Sequence, residues 1–141
     1  SAKAGAGNAE ALTPRMSARS RAILVIAGAL LAIGVVLGAM SAHLLRGQLS
    51  PDELRIFGTA VEYHFYNALG LLGLGAVARS LDAPLLSWAA ALIVAGVALF
   101  SGSLYAMAFG APRALGMVAP VGGVAMIAGW IVFAIAAWRG R

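Results

Sequence analysis

The chain has 141 residues, 62% of them hydrophobic and 11% charged, with a net charge of +5 and no cysteine. An ordinary soluble domain is about 45–50% apolar and about 25% charged. A chain this short cannot hide so much apolar surface in one globule, so a water-soluble enzyme is not expected. The lack of cysteine removes disulfides, thiolate metal sites, iron–sulfur clusters and thiol nucleophiles. The basic residues flank apolar runs rather than forming a patch, the pattern of a membrane protein and not of a nucleic-acid binder.

Residues 1–21 read as a disordered or vector-derived tail. Ser1 to Arg15 is rich in Ala and Gly with no apolar period, and Met16 opens Met-Ser-Ala-Arg-Ser-Arg in the manner of a natural start. Four apolar segments follow, Ala22–Ala42, Phe57–Ala78, Leu85–Ala111 and Ala114–Trp138, and Glu62 is the one charge inside them. Each has the roughly 20 residues that carry a helix across about 30 Å of hydrocarbon. Continuous rather than alternating apolarity favours helices over barrel strands. The first run exceeds a signal-peptide h-region and reads as a retained anchor, although Ala39-Met40-Ser41 has the look of a cleavage site.

These segments predict an all-α membrane protein, four antiparallel transmembrane helices in a bundle over residues 22–138, with helices near 22–43, 51–78, 84–110 and 114–138. Short connections make neighbours antiparallel. With the N-terminus inside, the inner segments hold Lys3, Arg15, Arg19, Arg21, Arg79, Arg139 and Arg141, and the outer ones hold Arg46, Arg55 and Arg113. The positive-inside rule then puts both termini in the cytoplasm (N-in/C-in), in a multi-pass protein of the bacterial inner (plasma) membrane. Ser50-Pro51-Asp52-Glu53 is a capping box with proline at the first helical position, so the second helix starts outside the hydrocarbon. Asp82-Ala83-Pro84 and Gly110-Ala111-Pro112-Arg113 make the remaining turns, and Pro120 falls early in the fourth helix.

Eighteen glycines serve close backbone approach in lipid. Gly34 and Gly38 form a GxxxG pair, Ala125 and Gly129 a small-xxx-small pair, and Gly70 and Gly73 mark another thin stretch. Spacing leaves two uses open, packing within one bundle and a homo-oligomer face.

Polar residues gather in the outer half. Thr59, Tyr63, Tyr66, Asn67 and Gly70 share one stripe of the second helix, with Glu62 and His64 on its opposite edges. Glu62 stands about 24 Å from Ala78 and Tyr105 about 30 Å from Leu85, both near the outer boundary at 1.5 Å per residue. Ser101, Ser103 and His43 fall in the same half. An intramembrane carboxylate must be paired, protonated or wet. Glu62 therefore reads as the cap of a polar network, as a proton or cation site, or as a snorkelling side chain. His43 and His64 with Met40, Met107 and Met117 invite a metal or haem reading, but an interfacial histidine and filler methionines explain them. No metal, cofactor or catalytic constellation is expected, and no hydrolase, protease or phosphate-loop pattern occurs.

Four stretches also resemble a known family. Gly38-Ala-Met-Ser-Ala-His43 is similar to its G-A-F-G-A-H-G. Phe57-Gly-Thr-Ala-Val-Glu-Tyr-His-Phe-Tyr-Asn-Ala-Leu69 is similar to F-x-T-A-V-x-Y-Q-x-Y-H-A-L. Leu99-Phe-Ser-Gly-Ser-Leu-Tyr105 matches L-F-S-G-S-L-Y, and Leu115-Gly-Met-Val-Ala-Pro-Val-Gly-Gly123 is similar to L-G-x-I-T-P-I-G-G, with Gly129-Trp130 after it. The resemblance, over about residues 23–138, is to the domain of unknown function 423 family, which includes YgdD-like inner-membrane proteins and transmembrane protein 256. It implies a four-helix membrane protein in which His43, Tyr63, Tyr66, Ser101, Ser103, Tyr105 and Pro120 fall on motif positions. His64 replaces the usual Gln, Asn67 the usual His, and Leu44 the usual Gly, which argues against a fixed histidine ligand on the second helix. The family brings no settled activity. Composition and motifs together lead to a non-enzymatic accessory, assembly or self-associating subunit, alone or in a larger membrane complex. The alternatives are a proton, ion or small-molecule transporter using Glu62, and a lipid- or quinone-binding module.

Overall fold

The computed structural model describes residues 16–140. Among them are four long helices and no strand: α1 (Ala18–Ala39), α2 (Pro51–Val77), α3 (Leu85–Ala108) and α4 (Val118–Arg139). The expected tail over 1–15 and the charges Lys3, Arg15 and Arg141 lie outside the described residues.

The tail boundary at residue 21 is corrected. Ser17 caps α1 by accepting a hydrogen bond from the Ser20 N–H at 3.1 Å, so the helix begins four residues before the apolar run. At its other end α1 widens into a π-helical turn, Met40–Leu44. The capping box of α2 forms at both bonds. The Ser50 N–H donates to Glu53 at 2.8 Å and the Glu53 N–H donates to the Ser50 hydroxyl at 3.3 Å. Gly110, with φ +89°, takes the left-handed conformation that ends α3. A 3₁₀ turn, Arg113–Met117, then leads into α4 and leaves Pro120 in the first turn, where its missing N–H breaks no helical bond.

Contacts fix the order of the helices. α1 rests on α2, α2 on α3 and α3 on α4. Residue numbers fall along one helix as they rise along its neighbour. Ser20 meets Gly75 while Gly34 and Gly38 meet Phe65; Ala60 meets Ser101 while Phe57 meets Phe109; Gly96 meets Gly122 while Ile93 meets Gly129. α1 and α4 make at most glancing contact among the described residues, so the α2–α3 pair forms the middle and α1 and α4 flank it.

Three segments are long and apolar enough to cross a membrane by composition, Ala18–Leu44, Leu85–Ala108 and Arg113–Arg139. α2 falls below that level although the sequence predicts it as a span. Burial accounts for part of this, His64 and Asn67, whereas Glu62, Tyr63 and Tyr66 are exposed. α2 buries Phe57, Ala60, His64, Asn67, Ala68, Leu71, Leu74 and Gly75 against its neighbours. A helix shielded in this way can carry polar side chains that a lipid-facing helix cannot. The outward faces of α1 and α4 are instead lined by exposed Val and Ile, among them Val25, Ile33, Val35, Val124, Ile127 and Ile131.

Candidate functional site

The polar residues divide into an inner network and an outer shoulder. His64, 4% exposed, lies between three helices. Its Nε2–H donates to the Leu30 carbonyl of α1 at 2.8 Å, which leaves Nδ1 to accept the Tyr105 hydroxyl of α3 at 3.2 Å. A carbonyl oxygen can only accept, so Nε2 carries the proton and this tautomer follows from the partners. Asn67 accepts the indole N–H of Trp130 in α4 at 2.9 Å and donates to the Tyr63 carbonyl at 2.9 Å. The Ser101 hydroxyl donates to the Ala60 carbonyl at 2.8 Å, and that of Ser20 donates to Gly75 at 2.8 Å. α2 is therefore bonded to each of the other three helices. Among the described residues, no buried side-chain nitrogen or oxygen lacks a partner.

Glu62, Tyr63 and Tyr66 lie on the exposed side of α2. The Tyr66 hydroxyl donates to Glu62 Oε1 at 2.6 Å, one helical turn away. Tyr63 packs on Tyr66 and Phe100, with ring centroids 6.1 and 4.9 Å away. Beside this shoulder, a groove of about 440 Å³ opens between α2 and α4 over α3, walled by Tyr63, Tyr66, Phe100, Ile127 and Trp130 with Asn67 at its floor.

The remaining expected residues lie elsewhere. His43 is exposed on the π-helical turn, away from His64. The Ser103 hydroxyl donates to the Phe100 carbonyl of its own helix at 2.9 Å. Among the described residues no three His, Asp or Glu side chains converge as a metal site would require. Both ring nitrogens of His64 are already engaged.

The glycines divide in the same way. Gly34 and Gly38 face Phe65 of the same chain, so the GxxxG pair serves α1–α2 packing, one of the two uses its spacing left open. A Cβ at Gly70 would collide with Trp130, and one at Gly129 would lie 2.6 Å from Ile93. Gly73 is exposed with nothing within 4 Å, so its reading as a packing position is corrected too. It lies on the exposed side of α2, three residues from Gly70, which meets Trp130. The sequence assigned no packing role to Gly75, Gly96 and Gly122, which sit at close helix approaches, and no bonding role to Leu30, Ser20 and Trp130. Trp130 carried a signal, since an indole N–H within a span needs an acceptor.

Residues 37–123 match the family model described as a protein of unknown function, DUF423. The chain belongs to the DUF423 family. It is 41% identical to a UPF0382 membrane protein of Staphylococcus epidermidis, over 81% of this chain and 93% of that protein. It is 42% identical to the UPF0382 membrane protein YwdK of Bacillus subtilis, over 82% and 93%. It is 35% identical to the UPF0382 inner membrane protein YgdD of Escherichia coli, over 85% and 92%. No solved structure matches the chain. The family and the apolar helices together establish a membrane protein.

Proposed function

We propose that this DUF423 protein is a non-enzymatic accessory or assembly subunit of the inner (plasma) membrane, docking onto another membrane protein through the Glu62–Tyr66 shoulder. In this reading α1–α4 cross the bilayer four times as an antiparallel bundle with both termini in the cytoplasm. The Arg19, Arg21, Arg79 and Arg139 end then faces inward, in keeping with the positive-inside rule.

One observation carries the reading. The interior polar groups all have hydrogen-bond partners, and His64, Asn67, Ser101 and Ser20 bond across helices, while the single carboxylate of the spans is turned outward on α2. A carboxylate near the outer membrane boundary is stabilised by a cation or a hydrogen-bond donor from a neighbouring helix. Tyr66 supplies one donor and leaves the second carboxylate oxygen for such a partner. Transport through Glu62 receives less support, because the acid lies on the flank of the bundle and not between helices. The aromatic groove beside it favours a second reading, a lipid or quinone headgroup held between Tyr63, Phe100 and Trp130.

The test extracts the chain from native membranes in mild detergent and measures particle mass. Wild type is expected in a particle of defined mass above that of the lone chain. Glu62→Gln and Tyr66→Phe are expected to release it without changing its thermal stability. A lone wild-type chain in native extracts would overturn the docking reading, and proton flux in proteoliposomes that vanished with Glu62→Gln would replace it with transport.

A further inference from the structure

A second groove lies on the other side of the α2–α3 pair. It occupies about 520 Å³ between α1 and α3, with Leu71 of α2 at its floor. Its wall on α3 is a run of small side chains, Ala91, Ala95 and Ala98, exposed on the outer side. Its wall on α1 is formed by Ala22, Ile23 and Ile26. One end alone is polar. There Arg19 of α1 donates from Nε to Ser87 of α3 at 2.8 Å and from Nη1 to Asp82 of the preceding turn at 2.7 Å.

The mouth stands at headgroup depth. Trp88, beside Ser87, is 68% exposed, and Trp138 at the same end is 77% exposed. Exposed tryptophans of this kind mark the membrane interface. From Ser87 to Ala98 the groove runs about 16 Å along α3 at 1.5 Å per residue. That is about half of a 30 Å hydrocarbon core, the depth of one leaflet. The charge at this end is also one-sided: Arg19, Arg21, Arg79 and Arg139 stand against Asp82 alone among the described residues. A guanidinium has five N–H donors, and the two bonds to Ser87 and Asp82 leave three of them for a phosphate.

We infer that this groove is a binding site for one anionic phospholipid of the leaflet at the Arg19 end, with its phosphate at Arg19 and one acyl chain lying along Ala91, Ala95 and Ala98. The site is separate from the Glu62 shoulder and does not depend on docking there. Length, depth and charge select the occupant together. A helix of another protein would have to seat its backbone against the charged Arg19–Asp82 bridge at the mouth, whereas a lipid places its phosphate there and its chain along the alanines.

The purified full chain is mixed with equal amounts of phosphatidylglycerol and phosphatidylcholine, and lipid retention is read by native mass spectrometry. Wild type is expected to retain one phosphatidylglycerol with about fivefold preference, the worth of one arginine near an anionic surface. Ala95→Phe fills the groove from its open side and is expected to retain neither lipid above the non-specific background. Arg19→Gln is expected to retain both equally. If Arg19→Gln loses its monodisperse state, the Ala95→Phe comparison decides. Equal retention of the two lipids by wild type, or unchanged phosphatidylglycerol retention by Ala95→Phe, overturns the inference.

Discussion

Gly122→Ala tests the packing account at its tightest point. The α3–α4 crossing brings Gly96 and Gly122 together. A Cβ on Gly122 would lie 2.8 Å from the Gly96 carbonyl oxygen and 2.9 Å from Phe100 Cα, where ordinary contact begins at 3.4 Å. Those atoms are backbone and cannot rotate away, and the Phe100 amide nitrogen stands closer still, so α4 must move off α3 by roughly 1 Å, and a gap of 0.5–1 Å forfeits about a quarter to a half of each dispersion contact it opens. Packing and hydrogen bonds, not the hydrophobic effect, hold helices together in lipid. Overpacking of this kind costs about 1–3 kcal/mol. Replacing a mid-helix glycine with alanine returns about 0.5–1 kcal/mol. The expected result is a net loss of about 1–2 kcal/mol. Gly73→Ala is the control, because its Cβ meets nothing within 4 Å. It keeps the helix gain without the clash and is expected to leave stability equal or higher by up to about 1 kcal/mol. Reversible unfolding of both variants in bicelles, by steric trapping, reads the two free energies directly. Equal losses at the two positions would refute the assigned crossing point.

Two other perturbations give distinct signatures. His64→Phe removes the bonds to Leu30 and Tyr105, and at about 0.6 kcal/mol for an average hydrogen bond in a membrane bundle it is expected to cost about 1 kcal/mol, with Tyr105→Phe costing roughly half as much, in the same unfolding assay. Glu53 is held below its ordinary value of 4.5, chiefly by the Ser50 backbone N–H. A lowered folded-state value contributes stability above the unfolded pKa, and this is lost as pH falls through the folded one. A stability–pH series should therefore show wild type losing more than Glu53→Gln below pH 4.5 and no difference in slope near neutrality.

Position along the helices was readable from sequence and rotation was not. Counting 1.5 Å per residue from the turns placed His64, Asn67, Ser101 and Tyr105 in one half of the chain's length, and the structure bonds His64 to Tyr105 and Ser101 to the backbone of α2. Which face of each helix turns inward depends on a contrast between apolar and polar sides, and helices that are apolar all round lack one. The stripe through Tyr63 and Tyr66 therefore looked central, whereas the buried face runs through Ala60, His64, Asn67 and Leu71 and turns Glu62 outward. The caps and turns at Ser50, Gly110 and Pro120 were legible because each depends on local chemistry alone. Gly122 and Gly96 were not, because a crossing point is set by two helices at once. Ser17 was missed because Ser17-Ala-Arg-Ser20 has neither the proline nor the N3 glutamate that marks the cap at Ser50.

The central claim is that α2, the most polar of the four helices, crosses the membrane in the shelter of the other three. The chain has no cysteine of its own, so single cysteines report without background. Gln48→Cys lies just before α2 and Ser80→Cys just after it, both exposed. Intact cells treated with a membrane-impermeant maleimide should label Gln48→Cys at once and Ser80→Cys only after lysis. Labelling of both positions from the same side would contradict the account.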